Sequence, residues 1–438
     1  MVRRIIVGAA AALLLALGLP KCEVLPPQFG WIARADAQIA QGNYTAAEAI
    51  YQRTMNRTPS DATPALNLAA LYATWGRPER GLSALEEAVA RGADESLVIP
   101  LRLRLLAEAG AWNTLRIEAR RRVSSTSRDE NAWQALTLAA LHLGDCAAAT
   151  EAAIRWIESS TSTRAESRYY LAVLSASPGR LSGAAPALRR AAETCDADRP
   201  YCIGTALIRQ ERWALAVCPL RRAVRISPQN ADAHVWLGEA LSRNDLNAEA
   251  EIHLLEAVRL APESPLPWLI LGKHYLDTGE TTSARNPLLN AQALDPSNPA
   301  PCLAIAELKA QAGAYEEMNI WADAALQRAS NDVEVWKAVA RLYLERHLIR
   351  DTYPRRAAEG AVDLNPKDGE AHRLLGWTHL QSNRRQAAIE ALSRSVELTP
   401  DSGEAHFLLG QALKASGEID RAQQTLRRAA NLGYHSDP

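Results

Sequence analysis

The stretch from residue 231 to 264 shows the pattern of apolar and polar positions that the rest of the chain repeats. Apolar residues recur there every three or four positions, and a polar break at 243–245 divides them into two runs. They are Leu237 and Leu241 in the first run, and Ala250, Leu254 and Ala257 in the second. Because residues three or four apart share one face of an α-helix, the pattern predicts two short helices joined by a turn.

The pattern returns with a period of 34 residues. Pro228, Pro262 and Pro296 are 34 residues apart, and so are Gly238 and Gly272. Such a period predicts an all-α solenoid, in which each helix pair buries its faces only against its neighbours. The chain is therefore expected to present an extended surface and not a single globular pocket. Twelve blocks follow the period: 28–61, 62–95, 96–129, 130–163, 164–196, 197–230, 231–264, 265–298, 299–332, 333–368, 369–402 and 403–436.

Glycine and proline mark the ends of the predicted helices. Glycines between the two helices of a block favour a positive φ that ends the first helix. They are Gly42, Gly76, Gly110, Gly144, Gly279, Gly313 and Gly417. The prolines end the second helix, because proline lacks an amide hydrogen and biases the preceding residue away from helical angles. Small residues such as Gly238 and Ala250 are predicted to let the paired helices approach closely.

In these positions the chain resembles the tetratricopeptide repeat (TPR) family. One block carries the family's motif as Trp268, Leu271, Gly272, Tyr275, Ala284, Leu288, Ala291 and Pro296. Another carries His372, Leu375, Gly376, Ala388, Leu392 and Pro400. The resemblance implies an α-α superhelix of about twelve helix-turn-helix repeats. It also implies that the concave face, lined mainly by the first helix of each pair, binds a peptide or protein.

Residues 1–27 have a different character. Arg3 and Arg4 precede an apolar run from Ile5 to Leu19, which is typical of a secretory signal peptide or an amino-terminal membrane anchor. These fifteen residues are fewer than the roughly 20 that a spanning helix needs, and no good cleavage site follows them. We expect an exported or membrane-anchored protein on the extracytoplasmic side, in the cell envelope; whether the segment is cleaved stays open.

Charge and cysteine content limit the kinds of partner and ligand that the protein is expected to bind. The net charge is −1, from 49 basic and 50 acidic residues, so no long-range field attracts nucleic acid. The six cysteines lack the paired spacing of a structural zinc site. Cys195 and Cys202 flank the junction of two blocks and are candidates for a disulfide, and the alternative is that both are buried thiols. Cys146 and Cys302 are interpreted as packing residues.

The common catalytic sequence motifs are absent from the chain. The sequence contains no metalloprotease, nucleophile-elbow, phosphate-loop or dinucleotide-binding motif, so we predict that the protein is not an enzyme and uses no cofactor. His234, His372 and His406 occupy the fourth position of their blocks, where Trp268 and Trp336 stand in others. They are interpreted as planar packing residues and not as ligands or bases.

The candidate site is the concave surface formed by the first helices. Its central stretch is mixed in character, with Tyr201, Val235, Leu269, Lys273 and Leu303. Its later stretch is basic and aromatic, with Lys337, Arg341, Arg373, Trp377 and Phe407. Cations beside aromatic anchors favour an extended peptide that carries an acidic group. The alternative for Trp377 and Phe407 is that they pack on a neighbouring first helix.

Two functions remain open. The first is a non-catalytic adaptor that binds protein or peptide partners outside the cytoplasm. The second is a structural scaffold that self-assembles into a homo-oligomer. No separate capping helix follows the last block, whose second helix contains Leu426 and Ala429 and is expected to leave an apolar face uncovered.

Overall fold

The computed structural model describes residues 30–159, 199–346, 353–432 and 434. Within these ranges the chain forms 22 helices and no strands. They are α1 (Gly30–Ala40), α2 (Tyr44–Arg57), α3 (Thr63–Thr74), α4 (Pro78–Ala90), α5 (Glu95–Glu108), α6 (Trp112–Ser125), α7 (Glu130–His142), α8 (Cys146–Ser159), α9 (Arg199–Ile208), α10 (Trp213–Ile226), α11 (Ala231–Ser242), α12 (Asn247–Leu260), α13 (Pro265–Asp277), α14 (Thr281–Leu294), α15 (Pro299–Gln311), α16 (Tyr315–Arg328), α17 (Val333–Glu345), α18 (Tyr353–Leu364), α19 (Gly369–Gln381), α20 (Arg385–Leu398), α21 (Gly403–Ser416) and α22 (Ile419–Asn431).

The helices form consecutive pairs, and each pair packs on the next. Apolar core clusters run across successive pairs, for example from α11 through α16. The predicted all-α solenoid is therefore confirmed for the described ranges. The leading segment 1–27 and the block 164–196 lie outside them. Among the described helices, none combines the length and the apolar character that a bilayer crossing requires.

The predicted close approach of paired helices depends on glycine. At Gly238 a Cβ atom would lie 2.6 Å from Cγ of Leu254, and Gly272 stands against Leu288 in the same way. Leu254 and Leu288 are fully buried. In these pairs the first helix thus contacts its partner through bare backbone, and the facing leucine fills the space that a side chain would take.

Wherever the structure describes the turn inside a pair, the turn has a left-handed residue. All seven glycines named for this position have positive φ. In three other pairs Glu211, Asp245 and Asn383 take this conformation, at φ values of 57°, 60° and 57°. Because left-handed angles crowd the Cβ atom, these three turns carry backbone strain that the glycine turns lack.

Hydrogen bonds that recur between neighbouring pairs fix their spacing. Tyr72 donates to Glu48 over 2.6 Å, Tyr275 to Glu251 over 2.7 Å, and Tyr343 to Asn319 over 2.5 Å. Each tyrosine lies 24 residues after its acceptor. The bond therefore joins a first helix to the second helix of the preceding pair.

In six blocks of the described ranges the side chain at the fourth position also makes a hydrogen-bond contact with a backbone carbonyl. Nε1 of Trp268 donates to the carbonyl of Pro262 over 2.8 Å, and Nε2 of His372 lies 3.0 Å from the carbonyl of Pro366. The same contact to the residue six positions earlier is made by Trp133, His234, Trp336 and His406. Tryptophan and histidine are thus interchangeable here because both offer a planar ring with an N–H that reaches the inter-pair turn.

A disulfide bond joins Cys146, at the start of α8, to Cys218 in α10. The interpretation of Cys146 as a packing residue is therefore wrong. The helices on either side of the bond share one apolar cluster. In sequence they are separated by the 39 undescribed residues 160–198. Cys302, the other cysteine given a packing role, is fully buried as a free thiol. Sequence spacing could not show the pairing, because Cys146 and Cys218 are 72 residues apart.

The last helix does not have the uncovered apolar face that the sequence suggested. Ala429 is fully buried and Leu426 is half-buried under α21. Apart from Ile419 and Asp420 in its first turn, the exposed residues of α22 are Arg421, Gln423, Gln424, Arg427, Arg428 and Asn431. Gly42 of the first pair also lies against Asn431, without room for a Cβ atom. The helix thus ends the array with a polar surface, as a capping helix does.

Candidate functional site

The first helices from α9 to α21 place the predicted groove residues at different depths. Val235 is fully buried and Leu269 is 8% exposed, and both belong to the core between helix pairs. Tyr201 and Leu303 are half-buried, and Lys273 is exposed. In the central stretch Tyr201, Lys273 and Leu303 are therefore at least partly exposed to solvent, whereas Val235 and Leu269 hold the helices together.

Charges of alternating sign run along the central stretch. Glu239, Lys273 and Glu307 occupy the same position in α11, α13 and α15. Burial raises the pKa of Glu239 and of Glu307, and the nearby Lys273 ammonium opposes both shifts. Arg346 adds a cation 3.8 Å from Glu307. This part of the groove combines half-buried carboxylates with cations on either side, beside the apolar Leu303.

The basic residues of the later stretch are already paired within the protein. Nζ of Lys337 lies 2.7 Å from Glu334, 3.0 Å from Asp368 and 3.1 Å from Glu370. The side chain of Lys337 is only 6% exposed. Burial alone would lower its pKa, but the three hydrogen-bonded carboxylates raise it above the usual range. Lys337 is therefore a fixed cation in the wall of the groove.

Arg341 and Arg373 continue this ion-pair network. Arg341 pairs with Glu370, and Arg373 lies 2.5 Å from Glu404 and 3.5 Å from Glu370. Burial would raise the pKa of Glu370, but its bonds to Lys337 and Arg341 lower it. The three cations thus face four carboxylates: Glu334, Asp368, Glu370 and Glu404. The basic patch expected from the sequence is neutralised from within, and it does not offer free charge to an acidic peptide.

The carboxylates of the sequence carry a signal for this network. Glu334, Glu370 and Glu404 all stand at the second position of their blocks. Glu334 and Glu370 each pair with a cation three residues later on the same helix, and Glu370 and Glu404 each pair with a cation of the preceding first helix. Such charge pairs in register indicate an internal ladder of ion pairs, as opposed to a binding patch.

The two aromatic anchors are half-buried. Trp377 packs against the apolar clusters on both sides of α19. The ring of Phe407 lies 5.2 Å from that of Tyr434, which follows the last helix. Trp377 thus packs on the neighbouring first helices, as the alternative has it, whereas the ring of Phe407 lies against Tyr434, outside the first helices.

Of the two predicted disulfide partners, the structure describes only Cys202. Cys202 is disulfide-bonded, whereas Cys195 lies outside the described residues. The pairing of Cys195 with Cys202 therefore stays a prediction. In the described ranges no three histidine, cysteine or carboxylate side chains come together in a way that could hold a metal ion.

Comparisons with known proteins agree with the helical pattern. Two profiles described as "Tetratricopeptide repeat" match the chain, one at residues 379–435 and the other at 32–96, 202–265 and 354–402. No curated protein sequence matches it. The crystal structure of yeast Tom70 is similar at 15% identity, with 92% of both chains covered and a TM-score of 0.46.

A second solved structure is similar over most of its length. The Cut9-Hcn1 hetero-tetramer of APC/C aligns at 15% identity, with 93% of this chain and 87% of that chain covered and a TM-score of 0.39. The profiles thus detect tetratricopeptide repeats in the matched segments, and across the described residues the helix pairs form an all-α solenoid of the same helix-turn-helix type.

Proposed function

We propose that the protein is a non-catalytic adaptor that holds an extended segment of a protein partner along the first helices. The observation that carries this proposal is the half-exposed row formed by Tyr201, Glu239, Leu303 and Glu307, with Lys273 exposed among them. The row mixes apolar surface with half-buried carboxylates and cations, which suits a peptide with both apolar and charged side chains.

The internal pairing of the later stretch moves the proposed contact towards the centre of the groove. Lys337, Arg341 and Arg373 are committed to carboxylates, so a partner would have to displace them to bind there. Glu239 and Glu307, whose pKa values are raised by burial, would gain most from a cation supplied by the partner. We therefore expect a basic or mixed peptide in the groove.

Site-specific photo-crosslinking tests this arrangement. A photo-reactive amino acid at Lys273 or Leu303 should crosslink to the partner, whereas the same residue at exposed Glu263, in the turn between α12 and α13, should not. The double variant Glu239→Lys/Glu307→Lys should reduce capture from Leu303, and Glu263→Lys should leave it unchanged. Equal crosslinking from the groove and from position 263 would contradict the proposal.

We also propose that the adaptor acts outside the cytoplasm. Cys146, Cys218 and Cys202 are disulfide-bonded, and such bonds persist in oxidising compartments. After rapid acid quenching of cells and alkylation in denaturant, only Cys302 of these four cysteines should react. Alkylation of all four would place the protein in a reducing compartment.

A further inference from the structure

The contact between α8 and α10 combines a covalent bond with an arginine clamp. The Cα atoms of Cys146 and Cys218 are 5.6 Å apart. Arg221, one turn after Cys218, donates to the carbonyl of Gly144 and binds both carboxylate oxygens of Glu249, at 3.0 Å and 2.6 Å. The same side chain thus joins the turn before α8 to α12. Gly144 has a φ of 70°, which favours glycine, and a Cβ atom there would lie 2.9 Å from Leu246 and 3.0 Å from Arg221.

The guanidinium of Arg221 also faces the disulfide. Its Nη1 lies 3.6 Å from Sγ of Cys146. A cation at this distance stabilises a thiolate more than a thiol, and so favours release of Cys146 as an anion. A disulfide whose released sulfur is stabilised in this way is easier to reduce.

The two sulfurs differ in access. Cys146 is half-buried, whereas Cys218 is 6% exposed. Cys146 is therefore the more exposed residue of the pair, and it is where we place the attack of a reductant from solution.

We propose that the Cys146–Cys218 bond is a redox-controlled lock between the helices of residues 30–159 and those that begin at residue 199. A small dithiol attacks Sγ of Cys146 as a thiolate, the S–S bond breaks, and Cys218 leaves and takes up a proton. The second sulfur of the dithiol then attacks the mixed disulfide and releases Cys146 as a thiolate beside Arg221. The dithiol is oxidised to a disulfide and supplies the two electrons.

Opening the bond removes the covalent link from a junction that, among the described residues, Arg221 and one apolar cluster also hold. On the α7–α8 side the buried residues of that cluster are mostly small, namely Ala140, Leu141, Ala149 and Ala153, with Cys146, Ala148 and Ile157 partly buried against it. On the other side, Leu215 and Val217 are buried in addition to the periodic positions Ala216 and Leu220. After reduction, α8 separates from α10 and exposes this face of α10.

The full-length protein equilibrated in buffers of reduced and oxidised dithiothreitol tests the chemistry. Alkylation and mass spectrometry follow the reduced fraction of Cys146 and Cys218 in each buffer. Arg221→Gln should lower the equilibrium constant for reduction about tenfold, which corresponds to about 30 mV for a two-electron couple. Arg225→Gln removes the same charge from an exposed position of the same helix and should change nothing. Equal shifts in the two variants would overturn the role of Arg221.

Hydrogen exchange tests whether the disulfide holds α8 and α10 together. Amides of α8 and α10 should exchange faster in the reduced protein, while those of α13 and α14 should not. The double variant Cys146→Ala/Cys218→Ala, kept under oxidising conditions, should reproduce the faster exchange with the Cys202 bond intact. If the reduced protein and the variant both exchange as slowly as the oxidised wild-type protein, the bond does not hold these helices together.

Discussion

Nδ1 of His234 lies 3.1 Å from Nδ1 of His253. The other ring nitrogen of His234 faces the carbonyl of Pro228 at 3.2 Å, and a carbonyl can only accept. The proton of a neutral His234 is therefore on Nε2, and its Nδ1 accepts a hydrogen bond from Nδ1–H of His253. A second proton on both rings would bring two N–H groups face to face.

This arrangement predicts that the fold weakens in mild acid. Burial, followed by the neighbouring His234, lowers the pKa of His253 below the value of about 6.5 found in unfolded chains. Between these two pKa values the unfolded state binds more protons, so stability is complete above about pH 6.5 and is lost as the pH falls through the lower value. Urea unfolding at pH 8 and pH 5 should show the loss.

The variant His253→Asn separates this pair from the other histidines. The asparagine amide can still donate to Nδ1 of His234 but does not titrate in this range. The pH dependence should decrease without disappearing, because burial also lowers the pKa of His142, His274 and His379. A variant as sensitive to acid as the wild type would show that the pair is not responsible.

Glycine at position 272 is predicted to be required for packing. A Cβ atom there would overlap Leu288, so Gly272→Ala should cost about 1 to 3 kcal/mol through overpacking. The gain in helix propensity, about 1 kcal/mol, offsets part of that cost. Urea denaturation measures the net change. An alanine variant more stable than the wild type would contradict the close approach of α13 and α14.

Three turns should be improved by glycine. Glu211 and Asp245 adopt left-handed angles where the other pairs use glycine. Glu211→Gly should therefore stabilise the protein by about 1 kcal/mol, because relief of strain exceeds the entropy cost of glycine. Asp245→Gly and Asn383→Gly should gain less, since aspartate and asparagine tolerate this region better. Thermal unfolding of the three variants, compared with Gly279→Ala as the opposite change, measures the effect.

The local chemistry of these turns shows how far the sequence could predict the fold. The helix pairs and the glycine turns followed from spacing, because apolar period and backbone freedom act within a few residues. The Cys146–Cys218 bond and the contact of Gly42 with Asn431 did not, because they depend on how successive pairs stack. The site was harder still, since Lys337 as a single residue gives no indication that Asp368 and Glu370 neutralise it.

The ion pairs of Lys337 predict a loss of stability that depends on pH. Lys337→Met leaves the partly buried Asp368 without its cation and leaves Glu370 only its arginine partners, which should cost about 1 to 3 kcal/mol at pH 7 after allowance for exposure. Both carboxylates have lowered pKa values, so the stabilisation is present above about pH 4 and is lost as the pH falls further. The difference from the wild type should therefore shrink near pH 3. Lys273→Met, which removes an exposed cation, should have a smaller effect.

The polar end of the solenoid predicts a monomer. Association through α22 would bury Arg421, Gln424, Arg428 and Asn431, which are exposed, at a cost that the exposed Ile419 of its first turn is too small to offset. Light scattering of the full chain at concentrations up to about 100 times that used for binding should give a constant mass near 47.7 kDa. The variant Gln424→Leu/Arg428→Leu creates the apolar face that the natural helix lacks, and it should promote concentration-dependent association. If the wild-type protein is a dimer and the double variant Arg421→Glu/Arg428→Glu is a monomer, α22 is instead an interface between two copies of the chain.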